Sequence, residues 1–196
     1  MVSTARGTMF LALPAIFAVF SAIDASAAPR VTASTNEYAI TGTKPSLTSA
    51  SLRQALPTDG GQRFLGHTQW SIKYRFQTTP SASGCRVVSA HANVNIVHTL
   101  PQWKDRAGAS PAAQAQWDHY SRALARHEQG HAAIAIKHAH RIETALNLIA
   151  GATCAEVNGA ANQRAQHILA EVHRENAAYD RQTDHGRTQG ATHPFR

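Results

Sequence analysis

Arg126-His127-Glu128-Gln129-Gly130-His131 places two imidazoles and a carboxylate within five residues, in a stretch whose apolar spacing is helical. Residues four apart on an α-helix stand one above the other, so His127 and His131 can grip a single ion. The H-E-x-x-H spacing is that of zinc hydrolases: two neutral imidazoles bind Zn²⁺, and the glutamate between them, here Glu128, works on a water. A helix rich in histidine could produce the spacing fortuitously, but composition alone predicts it only about 0.02 times in a chain like this. The pattern is therefore read as a metal site.

Such a site needs a third protein donor, and helix geometry excludes the nearest histidines. His138 lies about 10 Å along the axis from His131, and His140 about 13 Å along and half a turn round. Donors must come from another element. Glu171, Glu175, His167 and His173 lie on a following helical segment, and His185, followed by Gly186, sits in a segment able to fold back over the site.

The elements that must position these groups follow from periodicity. A long helix is predicted from Pro111 to about Ile149, with Ser110 as N-cap and proline at the first helical position. Its apolar stripe runs through Trp117, Tyr120, Leu124, Ile134, Ile142, Leu146 and Ile149, with His127, His131 and His138 on or beside it. A short connection near Gly151 leads to an antiparallel helix from Cys154 to about Tyr179, packing through Val157, Ala161, Ala165, Ile168 and Val172. The chain is then expected to break from Tyr179 to Gly186.

Upstream, alternation predicts a half-buried strand over His67–Thr78, with Trp70, Ile72, Tyr74 and Phe76 inward. A second runs over Arg86–Val97, with Val88, Ala90, Ala92, Val94 and Ile96 inward, and the turn between them makes an antiparallel hairpin. A short strand is expected from Asn36 to Gly42, a brief helix from Ser46 to Leu56, and a turn at Thr58-Asp59-Gly60-Gly61. His91 falls on the outward face of its strand.

Residues 1–27 read as a signal peptide: Arg6, an apolar run from Met9 to Ile23, then Ala25-Ser26-Ala27 as a small-x-small cleavage site. About 15 apolar residues fall short of the roughly 20 that span a bilayer, and Pro14 interrupts them. Cleavage leaves residues 28–196 as one domain with no transmembrane anchor, placing the protein in the periplasm or outside the cell. The net charge of +7 suits weak contact with anionic envelope polymers, while the lack of a basic run interleaved with aromatics argues against a specific nucleic-acid partner. Two cysteines in an exported chain, Cys85 and Cys154, are expected to pair. Such a bridge closes about 70 residues and contributes about 2–4 kcal/mol.

Trp70-x-Ile72-x-Tyr74, Cys85, Leu100-Pro101-x-Trp103, Trp117-x-x-Tyr120, His127-Glu128-x-Gly130-His131, Cys154 and Tyr179-Asp180-x-x-Thr183-x-His185-Gly186-x-x-Gln189-Gly190 together resemble a bacterial family of secreted zinc-dependent proteases, domain of unknown function nine-two-two. The resemblance spans about residues 36 to 191. It implies the Cys85–Cys154 pairing and makes the Thr-x-His-Gly tail part of the site. On that basis the third zinc ligand is placed at His185, with Asp180 next, then Glu171 or Glu175.

The expected fold is α+β and zincin-like: a small antiparallel sheet packed on the long H-E-x-x-H helix and a second antiparallel helix. The expected function is that of an exported zinc metallopeptidase acting on peptide or protein substrates. Glu128 is its general base, and Tyr179 the candidate to stabilise the oxyanion. One rival is a non-catalytic envelope protein whose zinc is structural; another is a polymer-binding protein whose histidines are incidental.

Overall fold

A computed structural model describes residues 28–44, 50–59 and 61–195. The signal peptide expected over residues 1–27 and the start of the helix expected at Ser46 lie outside the described residues, as does Gly60 of the expected turn. Two long strands, β4 (His67–Ser81) and β5 (Gly84–Trp103), form the predicted hairpin. They follow β1 (Arg30–Ile40), the short helix α1 (Ala50–Ala55), and a small hairpin of β2 (Thr58–Asp59) and β3 (Gln62–Arg63). Two helices then cover one face, α2 (Pro111–Asn147) and α3 (Cys154–Thr183), with β6 (Ala150–Gly151) between them.

The sheet is mixed, which corrects the expectation of an antiparallel one. Its order is β1-β5-β4, with β6 on β5, and β1 runs parallel to β5. Parallel neighbours need a long return path, and β4 supplies it: β1 ends opposite Trp103, β4 begins opposite Thr99 at the same end, and β4 then runs antiparallel along β5 back to Gly84. β1 begins six residues before the expected strand, held there by pairing with Asn93–Leu100 of β5, and residues 30–37 are exposed on both faces. Nothing in that stretch has to alternate between apolar and polar.

A second correction concerns Val88. Gln77 pairs with Ser89 but Thr78 pairs with Val87, so Val88 is the extra residue of a β-bulge. The bulge reverses the alternation: Val87 is buried at 4 % exposure and Val88 stands out at 47 %. From Ala90 onward the expected inward set holds, with Ala90, Ala92, Val94 and Ile96 all buried.

Helix α2 begins as its sequence requires, with Ser110 Oγ accepting from the Ala113 amide and Pro111 opening the helix. Ala132, Ala135 and Ala139 pack on Ala92, Val94 and Ile96, the small side chains letting helix and sheet approach closely. Helix α3 starts in a capping box, Thr153 with Glu156, and buries Val157, Ala161, Ala165, Ile168 and Val172. The Cys85–Cys154 disulfide joins the start of β5 to the first residue of α3. Beside it Gly84, at φ 132°, lets the Gly151 carbonyl come closer than any Cβ would permit.

Glu143 of α2 is buried, and its Oε1 accepts the Ala92 amide of β5 at 2.7 Å. β6 pairs with Cys85 and Arg86, and β1 begins pairing only at Asn93. The carboxylate thus supplies an acceptor on β5 where neither strand reaches.

Helix α3 continues to Thr183, one turn beyond its expected end. Residues 180–183 contain no glycine or proline, and the helix closes only at Asp184, whose left-handed backbone directs its amide to the Asp180 carbonyl. Asp180 therefore stands on the last turn of a helix rather than in a loop. The tail then crosses α2, and Ala191, His193 and Phe195 are buried in the cluster around Trp103, Trp117 and Tyr120.

Candidate metal centre

On α2 the imidazoles of His127 and His131 converge, their Nε2 atoms 3.3 Å apart. Asp180 Oδ1 comes within 3.3 Å of the first and 3.1 Å of the second. Among the described residues this is the group of three donors close enough to share one cation. His127 is buried, His131 nearly so, and Asp180 half-buried.

What holds the rings decides which nitrogen faces inward. Asn176, one turn before Asp180 on α3, gives its amide nitrogen to the Val172 carbonyl at 2.9 Å, so its Oδ1 faces His131 Nδ1 at 2.7 Å. Gln189 gives its amide nitrogen to the Tyr179 hydroxyl at 3.0 Å, so its Oε1 faces His127 Nδ1 at 3.0 Å. Each amide oxygen can only accept, so both Nδ1 atoms carry the proton and both Nε2 lone pairs point at each other and at Asp180. Three acceptors mutually 3.1–3.3 Å apart repel unless a cation lies among them.

That arrangement fits the ion implied by the motif. Nitrogen and oxygen donors tetrahedrally placed about 2.0–2.1 Å from Zn²⁺ stand about 3.3 Å apart, and orienting bonds from ligand histidines to outer acceptors are the usual second layer of such sites. Without an ion, a proton takes its place. Burial pushes the Asp180 carboxyl up, but the hydrogen bonds from His127 and His131 outweigh it and hold the group well below the usual carboxylate range. Burial lowers the His131 pKa, and the bonds to Asp180 and Asn176 reverse that and raise it.

Of the donors expected from sequence, the structure brings Asp180 into the group and leaves His185 outside it. His185 Nδ1 is 3.7 Å from Asp180 Oδ1, its side chain is 77 % exposed, and it faces the cleft from the rim. Glu171 and Glu175 are occupied elsewhere: Glu175 binds Lys137 and His138, and Glu171 binds Arg141 and His167, clamping α2 to α3. His173 packs on Trp70.

Tyr179 lies behind the imidazoles, its ring stacked on His127 at 5.0 Å and edge-on to His131 at 5.1 Å. Its hydroxyl donates to the His127 carbonyl at 3.3 Å. Gly130 is what admits it, since a Cβ there would collide with the Tyr179 ring and hydroxyl. The expected oxyanion donor thus supports the imidazoles from behind and is not itself among the residues that line the cleft.

Glu128 faces the cleft at 3 % exposure, beside the donor group. The cleft, about 650 Å³, runs between α2 and the segment entering β4, with Phe64, Leu65, Gly66, Thr68 and Leu124 among its walls. Thr68 donates to Glu128 Oε2 at 2.7 Å. Three residues that shape the site carried no expected role: Asn176, Gln189 and Thr68. Asn176 could have been found four residues before Asp180 on one helical face; nothing in the local sequence marks Thr68.

No curated protein and no solved structure matches the chain. A family model described as bacterial protein of unknown function, DUF922, matches residues 35–186, covering both strands of the hairpin, both long helices and all three donors. The chain belongs to this bacterial family.

Proposed function

We propose that the protein is an exported zinc-dependent metallopeptidase with a zincin-like arrangement, in which His127, His131 and Asp180 hold the ion and Glu128 is the general base. The observation that carries this reading is the convergence of three acceptors, with both Nδ1 protons committed to amide oxygens, beside a buried carboxylate in a cleft. When bound, zinc supplies Lewis acidity, lowering the pKa of a water to about 7 and polarising a carbonyl.

The chain's own residues do the remainder. Glu128 takes a proton from the attacking water as its oxygen bonds to the carbonyl carbon, and passes that proton to the amine nitrogen as the C–N bond breaks. Asn176 and Gln189 keep both imidazoles in the ligating tautomer. The cleft walls around Leu65 and Leu124 exclude bulk water from the carboxylate.

Export is supported by the leader-like residues 1–27 and by the disulfide, which fits an oxidising compartment. No helix among the described residues is long and apolar enough to cross a membrane. A Glu128→Gln variant tests the mechanism: it should keep its metal and lose peptide cleavage by about 100-fold or more. Undiminished hydrolysis, or a wild-type protein that binds metal yet cleaves no peptide, would favour a structural ion.

A further inference from the structure

Thr68 on β4 and His98 on β5 face each other directly across the hairpin. The Thr68 hydroxyl lies 2.7 Å from Glu128 Oε2, 3.1 Å from the Glu128 carbonyl and 2.9 Å from His98 Nδ1. It has one proton to give. A glutamate that begins as a base is ionised and can only accept, so the threonine proton points at Glu128. The contact with His98 must then be His98 Nδ1–H donating into Thr68 Oγ1. The result is a one-way chain of donors, from His98 through Thr68 to Oε2.

The other carboxylate oxygen lies against a different wall. A Cβ on Gly66 would stand 2.8 Å from Glu128 Oε1 and 2.8 Å from Leu124 Cδ1, so the missing side chain is what leaves Oε1 room on that side. Gly66 and Glu128 both line the cleft.

We propose that the His98–Thr68 pair anchors Glu128 through Oε2 and leaves Oε1 as the oxygen that takes the water proton and returns it to the departing amine. This rests on the peptidase reading above. Oε1 gains one proton as the water oxygen bonds to carbon and loses it to nitrogen as the C–N bond breaks, while Thr68 and His98 keep theirs. Both are positioning residues. A carboxylate free to rotate would divide its time between orientations, and one fixed oxygen removes that loss from every turnover.

Two measurements test this. Thr68→Val, close in shape but without the hydroxyl, should keep the fold and the metal and lower kcat about 10- to 100-fold with KM little changed; Thr68→Ser should restore kcat to within about 3-fold. Nitrogen-15 NMR of the imidazoles, assigned with His98→Gln, should show His98 protonated on Nδ1 in the wild type and released from that state in Thr68→Val. An Nε2-protonated His98, a Thr68→Val enzyme with unchanged kcat, or a failure of serine to rescue would overturn the assignment. A wild-type protein that cleaves no peptide would remove the catalytic role and with it the peptidase reading, whereas the His98 tautomer would still report whether the donor chain exists.

Discussion

Asn176 Oδ1 accepts the Nδ1 proton of His131 at 2.7 Å, on the same face of α3 as Asp180. One helix thus supplies both a member of the donor group and the group that turns the opposing imidazole toward it. Outer-layer partners of this kind are worth about 10- to 100-fold in metal affinity. Asn176→Leu should weaken zinc binding by about that factor, read by competition against a chelator of known affinity, with the circular dichroism spectrum unchanged. Equal affinities would show that Asn176 only fills space.

Gly130 and Gly159 are both helical glycines with opposite surroundings. A Cβ at Gly130 meets the Tyr179 ring, whereas a Cβ at Gly159 meets nothing within 4 Å. Gly159→Ala should therefore stabilise the protein by about 0.5–1 kcal/mol, the helix-propensity gain. Gly130→Ala should destabilise it by about 1–3 kcal/mol through overpacking, and should weaken metal binding as Tyr179 leaves His127. Denaturant unfolding of both variants checks the pair, and a common sign would refute the packing account.

Glu143 is a buried acid whose Oε1 serves the Ala92 amide while Oε2 has no partner among the described residues. Glu143→Ala leaves that amide without its acceptor and should cost about 1–3 kcal/mol. Hydrogen exchange at Ala92 should speed up with it. Unchanged protection at Ala92 would contradict the assignment.

The metal-free protein should depend on pH in a defined direction. Burial lowers the His131 pKa, but its bonds to Asp180 and Asn176 prevail and raise it above 6.5. The folded state therefore holds that proton more tightly than the unfolded chain. This contribution is fully present below the unfolded value and is lost as pH rises through the folded one. Asp180 acts at the other end, its contribution present above the ordinary carboxyl value and lost as pH falls through its depressed one. Melting curves of chelator-treated protein from about pH 5 to about pH 9 should show Tm falling on the alkaline side. Asp180→Asn should flatten that fall, and a level wild-type curve would contradict the coupling.

The parts legible in the sequence were those fixed by local pattern. The spacing of His127, Glu128 and His131 on an apolar stripe placed the pair, and the Ser110-Pro111 cap placed the start of its helix. The alternation from Trp70 to Phe76 placed a strand, and an even cysteine count behind a leader-like segment placed the bridge. What stayed hidden depended on partners distant in sequence. Val88 reads as inward until the bulge opposite Gln77 and Thr78 shifts the register. Residues 30–37 of β1 bury neither face, so no periodicity marks them. The family resemblance puts His185 ahead of Asp180 through the Thr-x-His-Gly tail; four more helical residues than the pattern predicts turn Asp180 onto the imidazoles and leave His185 at the rim. Thr68 is one hydroxyl in a strand, and only the fold brings it to Glu128.

Whether His127, His131 and Asp180 together hold an ion is decided by the metal content of the purified protein, measured side by side with Asp180→Ala and His185→Ala. About one equivalent of zinc is expected in the wild type, most of it lost in Asp180→Ala and most of it kept in His185→Ala. A wild-type protein that takes up no metal, or an ion that survives Asp180→Ala and departs with His185→Ala, would contradict that assignment.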